Sequence, residues 1–132
     1  MSLYIETFND SYERVVKKSD EFYTFFYQLF MARDPAINKL FDGVDIEHQI
    51  SMLNHSLVYM IVYSGAKVAN SEIQKLADFH QNEIKVQAYM YDIWLDCLIE
   101  AVQAFDPRFN ADTEAAWRDV LGPSILIIKG KS

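Results

Sequence analysis

The sequence predicts an all-α protein of six long or medium helices and one short one, packed as a helical sandwich. Three observations carry this. Apolar residues recur at i, i+3, i+4 and i+7 along most of the chain, the spacing that lines one face of a helix. Gly (4) and Pro (3) are too few in 132 residues to supply hairpin turns. No two segments pair as strands: Ile125-Leu126-Ile127-Ile128 has a strand's composition but no partner segment. The length fits one domain over residues 1–132, and 51% apolar residues suffice for a sizeable core.

Residues 5–19 carry Ile5, Phe8, Tyr12 and Val15/Val16 at helical spacing with charges between them, which makes an amphipathic first helix. Ser19-Asp20 can cap a second helix over about 20–33. Its stripe is Phe22, Phe25, Phe26, Leu29 and Phe30, flanked by Tyr23 and Tyr27, and is wide enough to expect burial on two sides. Asp34-Pro35 opens a short helix, with proline where a missing N–H costs nothing. Ile37, Leu40 and Phe41 are its inward residues, and Asp42-Gly43 ends it. A long helix follows over 45–64, with Ile46, Ile50, Leu53, Leu57 and Met60/Ile61 in line.

Gly65 to Asn70 reads as a loop. Ser71-Glu72-Ile73-Gln74 has the form of a capping box, which starts a helix over 71–80 with Ile73, Leu76, Ala77 and His80 on one face. Residues 81–86 read as irregular. The next helix runs from about Gln87 to Phe105, with Met90, Ile93/Trp94, Cys97/Leu98, Ala101/Val102 and Phe105 inward, and Asp106-Pro107 stops it. Asn110 or Asp112 caps a last helix whose inward residues are Trp117, Val120/Leu121, Ser124/Ile125 and Ile128. Gly122-Pro123 should bend it.

His80 is the candidate with chemistry. A histidine ending an apolar helix face offers a lone pair in a dry environment. Pattern alone also allows a core histidine bonded to a carbonyl and aided by the helix dipole.

Dispersed motifs, in order and over about Phe8 to Ile128, resemble the bacterial single-domain globins and the related globin domains of sensor proteins. Phe26-Tyr27-Gln28-Leu29-Phe30, then Asp34-Pro35, then Leu40-Phe41-Asp42 is similar to the F-Y-x-x-L-F…P…L-F of that family. Leu76, His80 and Val86 resemble its proximal segment, and Tyr91-Asp92-x-Trp94-Leu95 with Ala116-Trp117 fit its two final helices. The resemblance implies a globin fold around a pocket for haem b (iron protoporphyrin IX), with His80 as the metal ligand. Phe41, Leu53, Leu76, Val86 and Trp94 are then cofactor-binding. Phe41 stacks on the macrocycle, Leu76 and Val86 fix the imidazole plane, and Trp94 is pocket wall or core filler. Tyr27 and Gln49 face a bound gas. If the helix over 45–64 is rotated by one residue, His48 and Met52 replace Gln49 and Leu53. Tyr89 or Tyr91 can serve as a tyrosine behind His80, but no acid follows Asp119 to complete the set that makes such a histidine strongly electron-donating.

The functions this implies are binding of O2, and of NO and CO, in a carrier, a gas sensor or an NO-detoxifying oxygenase. The 132 residues contain no flavin or nicotinamide domain, so turnover would need an external reductase. The rival is a haem-free globin-fold interaction or sensor module.

Composition excludes other classes. A net charge of −7 argues against nucleic acid and anionic lipid as partners. The longest uncharged run, His48 to Ala66, contains Gln49, Ser51, Asn54, His55 and Ser56 and is a poor membrane span. No signal peptide is visible, and a single cysteine, Cys97, suits the cytoplasm. Cys97 lies on an apolar stripe as a small hydrophobe. His48 and His55 are seven residues apart, too far for a two-ligand helical metal pair. No phosphate loop or nucleophile elbow is present. A homodimer through the outer sides of the last two helices is the expected form of any self-association.

Overall fold

In the computed structural model, residues 4–66 and 87–130 are described. They form six helices: α1 Tyr4–Val16, α2 Ser19–Arg33, α3 Pro35–Leu40, α4 Ile46–Ala66, α5 Ala88–Phe105 and α6 Ala111–Gly130. The expected helix over 71–80, the loop before it and the irregular stretch 81–86 lie outside the described residues.

The local reasons for these helices can be read at their ends. Asp34 sits extended before α3 and its carboxylate accepts the Ala36 amide at 2.8 Å, with Pro35 in the first helical position. Gly43 follows with φ at +76°, which favours glycine. Asp45 then accepts the Glu47 amide at 3.0 Å and so starts α4. The choice between Asn110 and Asp112 as cap of α6 falls to Asn110. Its Oδ1 accepts the Thr113 amide at 3.0 Å, and its own amide donates to Thr113 Oγ1 at 3.2 Å. This reciprocal pair has the logic of a capping box with threonine in the third position.

Two ends differ from expectation. Ser19 is the first residue of α2 rather than its cap, and Lys18 before it makes no side-chain cap bond. Helix α4 runs on through Gly65 to Ala66 where a loop was expected, because glycine inside a long helix costs only about 1 kcal/mol.

The helices pack as two crossed layers: α1 against α6, α2 against α5, and α4 against α6, with α3 tucked beside α2. The core takes Phe8 and Val15 from α1, Leu57 and Met60 from α4, Leu98 and Val102 from α5, and Trp117 and Leu121 from α6. On α2 the buried residues are Phe22, Tyr23, Phe26, Tyr27 and Phe30, while Phe25 and Leu29 are half-buried. The two tyrosines expected as flanks therefore lie on the central face, and the stripe is turned slightly. Their hydroxyls find partners on α4, which removes the usual penalty for burying a phenol.

A second polar group is buried at the joint of α1, α5 and α6. Asp106 follows the last turn of α5 and is 2% exposed. Its carboxylate accepts from Ser11 Oγ at 2.7 Å, Arg14 Nε at 2.6 Å, Arg14 Nη2 at 3.0 Å and the Arg108 amide at 2.9 Å. Trp117 Nε1 donates to the same Ser11 hydroxyl at 2.9 Å. All these groups are satisfied, and three helices are fixed by one ion.

Candidate functional site

The site is built where the C-terminal half of α2, the end of α3 and the first turns of α4 converge. On α2, Phe26, Tyr27 and Phe30 share the inward face at i, i+1 and i+4. Phe26 stacks on Phe30 with ring centres 5.5 Å apart, and Tyr27 meets Phe26 edge-on at 5.0 Å. Phe41, the residue that ends α3, lies edge-on to both Tyr27 (5.6 Å) and Phe30 (5.9 Å). Trp94 of α5 meets Phe26 edge-on at 5.9 Å. Three residues singled out separately in the sequence, Tyr27, Phe41 and Trp94, thus belong to one aromatic cluster. Phe26 and Phe30 join them. Phe41 and Trp94 are half-buried, so each keeps part of its ring surface uncovered by the core.

Tyr27 is 5% exposed, and its hydroxyl donates to the backbone carbonyl of Gln49 at 3.1 Å. Burial pushes this phenol well above the ordinary tyrosine value, so it stays protonated and a donor at any physiological pH. Gln49 is half-buried, Leu53 one turn on is buried, and His48 and His55 are exposed. The structure therefore brings Tyr27 to Gln49 through the main chain of α4 rather than through the amide side chain. The described part of the site is an apolar, aromatic cluster to which the Tyr27 hydroxyl adds a donor.

On α5, Tyr91 is buried and its phenol is pushed up to about 12 by that burial, whereas Tyr89 is 42% exposed. Cys97 is fully buried, and burial pushes its thiol up to about 11, which leaves it un-ionised and unreactive at neutral pH. Leu76, His80 and Val86 lie outside the described residues.

The sequence reading missed one pair at the same crossing. Tyr23, 3% exposed, donates from its hydroxyl to Asn54 Oδ1 at 3.1 Å. The available signal was its position, four residues before Tyr27 and so on the same face. Among the described residues no helix is long and apolar enough to cross a membrane.

Among the described residues, six helices with an aromatic cluster and a buried phenol where the second meets the fourth define an all-α fold. A family model described as Globin matches residues 24–125. The chain belongs to the globin family. A crystal structure from Pseudomonas aeruginosa PAO1, of a protein described as structurally highly homologous to a human haemoglobin, matches with a TM-score of 0.88 and 31% sequence identity. The match covers 96% of this chain and 95% of that one. A comparison with curated proteins finds no match.

Proposed function

We propose that this globin holds haem b through His80 and binds O2, together with NO and CO, under a hydrogen bond from Tyr27. The observation that supports this most directly is the Tyr27 hydroxyl, buried among aromatic rings and directed at the first turns of α4. The described residues fit the group. Half-buried Phe41, Ile50 and Trp94 and buried Leu53 would give apolar walls to a flat macrocycle, and the polar function near them is a neutral donor rather than a charge. Phe41, Leu53 and Trp94, with Leu76 and Val86, would hold the cofactor.

The cofactor when bound supplies reversible binding of diatomic gases. The protein supplies discrimination among them. A phenol kept protonated by burial donates to a polar ligand such as O2 and gives little to CO. Turning from the Gln49 carbonyl to the ligand exchanges one hydrogen bond for another, so the donor is used at small net cost. The Gln49 amide is a second donor on the same turn. This arrangement slows release and suits holding O2 more than delivering it quickly. Diatomic gases and a separate reductase are the proposed partners, and the cytoplasm the proposed compartment.

The test is the colour and kinetics of the purified protein. A red preparation with a strong Soret band is expected, and a colourless one that takes up no haem would favour an interaction module instead. Tyr27→Phe should speed O2 dissociation roughly tenfold, the loss of a hydrogen bond of about 1.5 kcal/mol. CO dissociation should change much less. Equal effects on both gases would make Tyr27 a steric residue only.

His48 gives a second check on the register of α4. With His48 exposed and Gln49 half-buried, the ferric protein should be five-coordinate or water-bound. His48→Ala should leave its visible spectrum unchanged, and Gln49→Ala should alter it. A low-spin bis-histidine spectrum lost on His48→Ala would put the wrong residue over the iron.

A further inference from the structure

Helices α2 and α4 meet only briefly, unlike the long contacts of α2 with α5 and of α4 with α6. Two phenols bridge that brief crossing. Tyr23 reaches the side chain of Asn54, and Tyr27, one turn later, reaches the carbonyl of Gln49, each at 3.1 Å. The ties are about 6 Å apart along α2 and about 7.5 Å apart along α4. Their order is reversed: the earlier phenol of α2 meets the later residue of α4. The stretch of α4 pinned at both ends is the one that carries Gln49 and Leu53.

We propose that Tyr23 and Asn54 are a positioning pair: their hydrogen bond fixes residues 49–54 of α4 against α2 and so sets how Tyr27 meets the ligand. Neither residue touches the gas. Without the outer tie, that turn of α4 can lift from α2, and Tyr27 then follows the Gln49 carbonyl or loses it. Either way, the distance from the phenol to its ligand is no longer fixed, and a hydrogen bond falls off steeply with misplacement. Asn54 is exposed while Tyr23 is buried, so the tie closes the edge of the crossing, where water would otherwise compete. Tyr23 also lies beside the Tyr12 phenol of α1. Substitutions at Asn54 therefore isolate the tie to α4 from any contact with α1.

The inference rests on the gas-binding reading above, but its first test does not need haem. In the haem-free protein, amide hydrogen exchange over residues 49–54 should be about fivefold faster in both Tyr23→Phe and Asn54→Ala, the scale of one lost hydrogen bond. Asn54→Asp keeps an acceptor and should restore the slow exchange. In the haem-loaded protein, Tyr23→Phe should speed O2 release about threefold, with CO release little changed. In a Tyr27→Phe background the same substitution should add nothing, because the pair acts through Tyr27. Unchanged exchange over 49–54 would overturn the proposal. So would an O2 effect of the same size with and without Tyr27, or none at all. A protein that takes up no haem would instead overturn the gas-binding reading, while exchange would still decide whether the pair fixes α4.

Discussion

Replacing His80 with alanine is expected to abolish tight haem binding, or to leave a site that added imidazole restores. The ground is the spacing of Leu76, His80 and Val86 in the sequence and the absence of a rival among described histidines turned inward: His48 and His55 are both exposed. The size of the effect follows from what a neutral imidazole supplies. It is the protein's one coordinate bond to iron in the proposed reading, whereas Phe41, Leu53 and Trp94 offer only apolar contact. That contact can retain some macrocycle without fixing it. The measurement is the Soret absorbance of the reconstituted variant with and without imidazole in the buffer. A spectrum like that of the wild type would remove His80 as axial ligand.

The second large effect concerns stability. Asp106→Asn should cost about 3 kcal/mol at neutral pH, since it leaves the Arg14 charge facing a joint built for its partner. In urea the midpoint should fall by roughly 1–3 M. The pH dependence gives the effect a signature. Burial alone would raise the Asp106 pKa, but hydrogen bonds from Arg14, Ser11 and the Arg108 amide, with the Arg14 charge, outweigh it. They hold the carboxyl below its ordinary 3.8. The unfolded chain therefore takes up this proton before the folded one does. The stabilisation is complete above the unfolded value and is lost as pH falls through the lower folded value. The gap between wild type and Asp106→Asn should be constant from pH 5 to 8 and shrink below about pH 4. A gap that stays constant through that acid range would mean that the charge contributes nothing.

How much of this was legible in the sequence depends on whether its cause is local. The start of α3 was, because Asp34 and Pro35 act on the two residues beside them. The apolar line of α4 was, because Ile50, Leu53 and Leu57 follow one period. The cap of α6 was legible only as a choice: Asn110 and Asp112 are equal by type, and the return bond from Thr113 decides between them. On α2 the ranking of Phe above Tyr put the phenols at the edges of the stripe. What places Tyr23 and Tyr27 centrally is a pair of acceptors on α4, whose positions no local pattern encodes. Asp106 is the extreme case. It was readable as the end of a helix, but its burial depends on Ser11 and Arg14, 95 and 92 residues earlier. The family motifs gave Tyr27, Gln49 and Phe41 as neighbours of a cofactor. They did not give Phe26 as the ring that joins Trp94 to the others, nor the Gln49 carbonyl as the partner of Tyr27.

The bond from Trp117 to Ser11 spans 106 residues, and Phe8 and Tyr12 also meet Trp117, with ring centres at 4.7 and 6.3 Å. The partner of the first helix is thus made last. At a synthesis rate of roughly 5–20 residues per second, Phe8 is added to the chain about 5–20 seconds before Trp117. During that interval α1 lacks its most extensive seat, and a 13-residue helix alone in water is marginal. The middle helices can collapse on one another meanwhile, since α2 and α3 are adjacent in the chain. The hydrophobic face of Phe8 and Val15 then waits as an open edge for the C-terminal helix. Docking of α1 is therefore a late event in the birth of this protein, and the interval before it is when the chain is most open to capture by a chaperone or by another copy of itself.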